Sequence, residues 1–217
     1  MAIRIMIVDD HKMIRDGLKA LLSTHKGVEV IGEAADGQNA VQLARKLSPD
    51  IVIIDIGMPE LNGIEATRQI SSLKCGPKVI GLSMHADRRY VAQMLKAGAS
   101  GYVLKDSAFE ELSQAIETVA KGRVYLGPQV AGTVVAELKR TAKDDDGSVF
   151  SVLTQREREV LQHISEGSST KDIASALGVS VKTIETHRRQ IMEKLNIHSV
   201  AQLTKYAIKE GLTDLDK

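Results

Sequence analysis

The sequence predicts an α/β domain followed by a separate all-helical one, and three observations carry that expectation. Within the first 122 residues, five short apolar runs alternate with five segments of helical periodicity. From Arg123 to Phe150 the composition shifts to a breaker, Gly127-Pro128, and later an acidic run, Asp144-Asp145-Asp146-Gly147. From Leu153 onward every apolar pattern is helical. The expected division is therefore residues 1–122, a linker over 123–150, and residues 151–217.

The predicted strands are Ile3–Val8, Val28–Gly32, Ile51–Ile54, Lys78–Ser83 and Gly101–Leu104. Runs this apolar read as strands buried on both faces of a parallel sheet. The first helix carries Ile14, Leu18, Leu21 and Leu22 at helical spacing behind an Asp10 cap. The second holds Ala40, Val41, Leu43, Ala44 and Leu47 after Asp36 and stops near Ser48-Pro49. Further helices fit Gly63–Leu73, Arg88–Ala97 and Phe109–Lys121. Right-handed crossovers make this a doubly wound fold.

Chemistry gathers at the strand ends. Asp9 and Asp10 close the first run and Asp55 closes the third. In open α/β sheets, ligands sit beyond the carboxyl ends of the strands. Neighbouring strands lie about 5 Å apart, so three carboxylates converge there and repel one another. A hard cation such as Mg²⁺ relieves that repulsion. Ser83 ends the fourth strand and Lys105 the fifth, adding a hydroxyl and an ammonium. This set suits phosphoryl transfer to a carboxylate: Asp55 as nucleophile, Asp9 and Asp10 on Mg²⁺, Lys105 and Ser83 on the phosphoryl oxygens.

Singly, each residue has a plainer use. An aspartate caps a helix, a lysine is solvated, and Tyr102 packs at the sheet; His11 stands beside the acid pair within reach of a metal, but imidazole suits Mg²⁺ poorly, so a surface place is expected for it, and His85 reads as a solvated loop residue. Their joint occurrence at successive strand ends argues for a site. Asp9-Asp10, Asp55 with Met58-Pro59 and Gly63, Ser83, Tyr102 and Lys105 resemble the receiver domain of two-component response regulators. The resemblance implies a flavodoxin-like five-stranded sheet of order 2-1-3-4-5 and phosphorylation of Asp55 by a sensor histidine kinase. It implies Mg²⁺ on Asp10, Asp55 and the Gly57 carbonyl, with Asp9 acting partly through water. It makes Ser83 and Tyr102 a switch pair. One departure is Asp106, where many receivers have proline after the lysine; the isomer of that peptide is left open.

The linker is expected to carry an amphipathic helix over Val130–Arg140 and then a flexible tether. In the last segment Thr154 and Glu157 form a capping box for a helix that Gly167 ends, and further helices are expected near Thr170–Leu177, Ser180–Leu195 and Ser199–Glu210. Ala174, Gly178 and Ile184 have the spacing of a helix-turn-helix. The outer face of Ser180–Leu195 then carries Lys182, Thr183, Glu185, Thr186, Arg188, Arg189 and Lys194. Residues 151–217 hold ten basic against nine acidic side chains, so a single copy binds nucleic acid weakly and dimers are favoured. Leu153–Leu161, Lys171-Asp172-Ile173-Ala174 and Val181–His187 resemble the LuxR-type helix-turn-helix, and the whole chain resembles NarL/FixJ-type response regulators. That resemblance implies Lys182 and Thr183 on phosphates, with Glu185, Thr186 and Arg189 at bases. It also implies a homodimer when phosphorylated, promoter DNA and RNA polymerase as partners, and no enzymatic role beyond the receiver's own phosphotransfer and dephosphorylation. For Val200, Leu203 and Ala207, core packing and a dimer contact both fit.

Composition narrows the rest. A single cysteine, Cys75, precludes an internal disulfide and fits a cytoplasmic location. No apolar stretch reaches membrane-spanning length. A haloacid-dehalogenase-type phosphatase also uses an aspartyl nucleophile, but it needs a second Asp where this chain has Gly57. Two alternatives remain: a DNA-binding regulator with a non-signalling receiver, and a protein-interaction module without DNA binding.

Overall fold

The computed structural model describes residues 2–74, 76–84, 88–107, 109–132 and 152–213. The chain divides into two compact units, Met1–Ala142 and Lys143–Lys217.

The first unit is built on a parallel sheet of β1 (Ile3–Val8), β2 (Val28–Ala34), β3 (Ile51–Asp55), β4 (Lys78–Ser83), β5 (Gly101–Leu104) and β6 (Tyr125–Leu126). Its order is β2-β1-β3-β4-β5-β6, so the sheet has six strands, not the five expected. The sixth is a two-residue strand, too short for any period. The open edge of β5 recruits it, with Gly101 opposite Tyr125 and Tyr102 opposite Leu126. The helices are α1 (Lys12–Ser23), α2 (Gly37–Leu47), α3 (Gly63–Ser71), α4 (Arg88–Lys96) and α5 (Phe109–Ala120). Packing of α1 and α5 on one face and α2, α3 and α4 on the other gives three layers. Ile5, Ile7, Ile51, Ile53, Ile80 and Leu82 meet Leu22, Leu112, Ile116 and Val119 in the core under α1 and α5. All five residues of β3 are buried, as a strand covered on both faces requires.

Two details correct the reading of the sequence, and a third fills in what it left open. Helix α1 starts after His11, whose side chain makes no capping bond, and Asp10 is not the cap. Ile14 and Leu21, expected to face the core, are exposed. The helix has more apolar residues than its buried face accommodates. The peptide after Lys105 is trans, since no cis bond occurs among the described residues. Asp36 does cap α2, accepting from the Asn39 N–H at 2.8 Å, and the helix ends at Ser48 in a left-handed conformation. Residues 128–132 have helical backbone, which overlaps the first three positions of the expected linker helix. The remainder of Val130–Arg140, the acidic run, Cys75 and His85 lie outside the described residues.

The second unit contains α6 (Gln155–Ser165), α7 (Thr170–Ala176), α8 (Val181–Leu195) and α9 (Val200–Glu210). Thr154 and Glu157 form the expected capping box at the start of α6. Ser169, Ser180 and Ser199 cap the other three helices through side-chain oxygens. Gly178 takes a φ of 65° in the turn between α7 and α8, a left-handed conformation that glycine adopts without strain. Val160, Leu161, Ile173, Ala174, Ile184, Ile191, Leu203 and Ala207 form the core. Leu203 and Ala207 are therefore spent on core packing, while Val200 is 39% exposed.

Candidate functional site

The parallel register places β3 directly beside β1, pairing Val8 with Ile54. The residues that follow, Asp9 and Asp10 on one strand and Asp55 on the other, therefore leave the sheet side by side. Strand β4 brings Ser83 to the same edge, and β5 hands the chain to Lys105, whose N–H donates to the Ser83 carbonyl at 2.7 Å. Lys105 Nζ then reaches across the sheet end, 2.8 Å from Asp9 Oδ2 and 2.9 Å from Asp55 Oδ2. Asp9, Asp55 and Ser83 are buried. One lysine thus holds two carboxylates that would repel each other in a low-dielectric site.

The electrostatics follow from this geometry. Burial pushes the Asp55 carboxyl up from its ordinary range. Lys105 pulls it back, Asp9 adds to the push, and the Gly57 N–H at 3.2 Å favours the charge. The net direction is upward. Burial opposes the charge on Lys105, but the two carboxylates outweigh it and hold the ammonium pKa above its ordinary value. Asp9 is further anchored from behind, as Arg15 donates to its carbonyl at 2.6 Å.

One ligand atom from each of Asp9, Asp10, His11 and Asp55 lies within 4.8 Å of the others. Lys105 takes Oδ2 of Asp9 and Asp55, while Asp9 Oδ1 faces His11 and Asp55 Oδ1 accepts from the Gly57 N–H. This donor set, rich in carboxylate oxygen, fits a divalent cation. His11 is the member the sequence reading had set on the surface. Its ring is 63% exposed, yet Nδ1 lies 3.0 Å from Asp10 Oδ1. Adjacency to the acid pair was the available signal. Tyr102, by contrast, is fully buried on β5, behind the sheet end.

In the second unit α8 buries Ile184 and Ile191 and turns Lys182, Glu185, Arg188 and Arg189 outward, with Thr183 and Thr186 half-buried. Thr183 is engaged in the cap: its N–H donates to Ser180 Oγ at 3.1 Å and the two hydroxyls lie 2.8 Å apart. The Thr186 hydroxyl donates to the Lys182 carbonyl at 2.9 Å. Lys194 is exposed, but its ammonium is tied down, 2.7 Å from the buried Glu157 carboxylate.

Both halves match known families. Residues 5–117 match the response regulator receiver domain, and residues 151–207 match the bacterial regulatory proteins of the luxR family. The chain is a response regulator of the NarL/FixJ type. Among its relatives, transcriptional regulatory protein LiaR of Bacillus subtilis is 39% identical, over 98% of this chain and all of that protein. Transcriptional regulatory protein DegU of Brevibacillus brevis is 37% identical, over 96% and 94%. Among solved structures, RcsB from Salmonella enterica serovar Typhimurium bound to promoter P1flhDC with phosphomimetic BeF₃⁻ matches at a TM-score of 0.62. That chain is 25% identical, with 98% of this chain and 100% of that one covered. As a response regulator, the chain pairs a receiver with a DNA-binding domain and regulates transcription. No helix among the described residues is long and apolar enough to cross a membrane.

Proposed function

We propose that this response regulator is switched by phosphorylation of Asp55, with Mg²⁺, by a sensor histidine kinase, and that the phosphorylated form dimerises on promoter DNA. The observation that carries the reading is Lys105, seated between Asp9 and Asp55 at the end of the sheet. A purely structural ion pair needs one carboxylate, whereas phosphoryl transfer needs a nucleophile, a cation site and a counter-charge together. An Asp55 oxygen attacks the phosphorus of the donor, the bond from phosphorus to the donor histidine nitrogen breaks, and an acyl phosphate forms. Asp9, Asp10, Asp55 and the Gly57 carbonyl would hold Mg²⁺, which when bound would neutralise charge developing on the phosphoryl oxygens. Lys105 is free to follow one of those oxygens, because Asp9 alone still satisfies part of its charge. Phosphorylation takes Asp55 from −1 to about −2 and adds strong acceptors. Ser83 shifts toward them, and Tyr102 repacks behind it. The receiver catalyses only this transfer and its own dephosphorylation, in which water takes the phosphoryl group from Asp55 and inorganic phosphate leaves.

In the DNA-binding half, Lys182 and Thr183 contact phosphates, Arg188 supports them, and Glu185, Thr186 and Arg189 approach bases. Arg189 suits guanine and Glu185 suits cytosine N4. With its hydroxyl bonded to Lys182, Thr186 offers its methyl, which suits thymine. The domain division stays at 1–122, 123–150 and 151–217, with RNA polymerase as a further partner and the cytoplasm as the location.

The test is a gel-shift titration of wild-type protein and Asp55→Ala on a promoter fragment, with and without acetyl phosphate. The donor is expected to tighten binding by wild type only. An equal response in Asp55→Ala removes Asp55 from the mechanism. No response in either favours the non-signalling receiver.

A further inference from the structure

Strand β5 has two neighbours in the sheet, β4 on one side and β6 on the other. On the β4 side Leu104 pairs with Ser83, at the edge of the crevice. On the β6 side Gly101 and Tyr102 pair with Tyr125 and Leu126, where the chain leaves the receiver for the linker. Tyr102 therefore stands on the one strand that separates the crevice from the chain's exit.

Gly127 narrows that exit to a single residue. Its N–H donates to the Tyr102 carbonyl at 3.1 Å, and its own carbonyl accepts from the Val130 and Ala131 N–H groups at 2.9 and 3.0 Å. One residue thus closes the β5 pairing and opens the helical turn over 128–132. Pro128 follows with its φ fixed by the ring, and Val130 is fully buried, so neither end of the turn is loose. Helix α5 closes the junction from its other side. A β-carbon built on Gly127 would stand 2.2 Å from Glu111 Oε1. Burial, and then the Glu111 charge, push the Tyr125 phenol above its ordinary range, which sets the same carboxylate against β6. A buried residue packed this closely passes a displacement on instead of absorbing it.

We propose that Gly127 is the joint through which the receiver drives its linker: the repacking of Tyr102 passes through the Tyr102 carbonyl to the Gly127 N–H, and through the Gly127 carbonyl to the turn over 128–132. The proposal deepens the reading of Ser83 and Tyr102 as a switch pair and rests on it. It also gives β6 a purpose, since a two-residue strand adds little to a sheet already held by five longer ones.

The experiment measures affinity of the full chain for a promoter fragment, with and without beryllofluoride and Mg²⁺, in wild type, Gly127→Pro and Gly127→Ala. Proline removes the N–H that the Tyr102 carbonyl accepts. Alanine keeps it and asks only that the end of the Glu111 side chain move aside. Wild type and Gly127→Ala are expected to gain about five- to 150-fold in affinity, and Gly127→Pro less than about twofold. Uptake of label from acetyl phosphate is expected to be equal in all three. A full gain in Gly127→Pro, or an equal loss in Gly127→Ala, overturns the proposal. A second readout needs no variant and decides the matter if Gly127→Pro takes up no label. In wild type, beryllofluoride is expected to change hydrogen exchange of the Gly127 amide by a larger factor than that of the Val30 amide, on the opposite edge strand. Equal factors overturn the proposal and leave the phosphorylation of Asp55 standing. If beryllofluoride leaves the DNA affinity of wild type unchanged, the switch reading falls as well.

Discussion

Lys105 holds two buried carboxylates in place, and its loss has a different sign from the loss of either acid. Removing one partner of a buried ion pair leaves charge without compensation. In Lys105→Met, Asp9 and Asp55 face each other with no cation between them. The variant is expected to be less stable by about 3 kcal/mol in metal-free buffer, read from chemical denaturation. Asp55→Asn is expected to act oppositely. Burial and Asp9 already push the Asp55 carboxyl up, so its ionised form at neutral pH strains the folded state. Replacing it by a neutral isostere relieves that strain and leaves Lys105 paired with Asp9. The thermal midpoint of Asp55→Asn in chelator should therefore rise, and a fall would mean that Lys105 needs both acids. Such a residue is kept at a cost in stability, which is the pattern of a functional site rather than a structural pair.

Elements carry these residues to their places, and two joints between elements decide how well. Gly63 begins α3, and a β-carbon built on it would stand 2.0 Å from the Asp55 carbonyl oxygen and 2.8 Å from Ile56 Cα. Both neighbours are backbone and neither yields. Gly63→Ala is expected to cost about 3 kcal/mol by overpacking and to slow uptake of label from acetyl phosphate, because it displaces the strand end that bears Asp55. Normal stability and labelling would show that the loop moves freely. The second joint ties α6 to α8 through Glu157. Burial opposes its charge, but bonds from Lys194 and from Thr154 prevail, and the carboxyl is held below its ordinary range. A depressed acid contributes stability above its unfolded value, and that contribution is lost as pH falls through the folded value. Glu157→Gln should thus weaken the helix-turn-helix unit by about 2 kcal/mol near neutral pH and by progressively less below the carboxylate range. Hydrogen exchange along α6 measures it, and a cost independent of pH would assign the loss to packing. These joints also mark what the sequence conveyed. Apolar runs ending in Asp, Ser and Lys located the strands and the crevice, and Thr154 with Glu157 announced a helix start. Lys194 was legible only as an outer residue of its helix, since an untethered and a tethered lysine share one period on a helix. The partner that decides between them lies 37 residues away. Strand β6 was invisible for a related reason: its pairing is supplied wholly by the edge of β5.

At the scale of the whole molecule, the receiver and the DNA-binding unit are linked by thermodynamics whatever path connects them. If occupancy of the crevice raises DNA affinity by some factor, DNA must raise the crevice's affinity for its ligand by the same factor. Covalent phosphorylation is not an equilibrium probe, but beryllofluoride with a divalent ion is, and it mimics the acyl phosphate. The DNA dissociation constant measured with and without beryllofluoride should change by about five- to 150-fold, the usual span of such coupling. The beryllofluoride dissociation constant measured with and without promoter fragment should change by an equal factor. Because the DNA-binding half is nearly neutral, ten basic against nine acidic residues, the coupled form must also show the steeper salt dependence. A dimer engages twice the phosphate contacts of one copy, so the slope of log affinity against log salt should approach double its unliganded value. Lys182→Ala should then lower that slope by about one per copy while leaving sequence preference intact. Arg189→Ala should flatten the preference at one base pair. A beryllofluoride effect on affinity with no change in slope would mean that the signal acts within one chain and does not pair two. Equality of the two coupling factors with a doubled slope would mean that the acid crevice controls assembly on DNA.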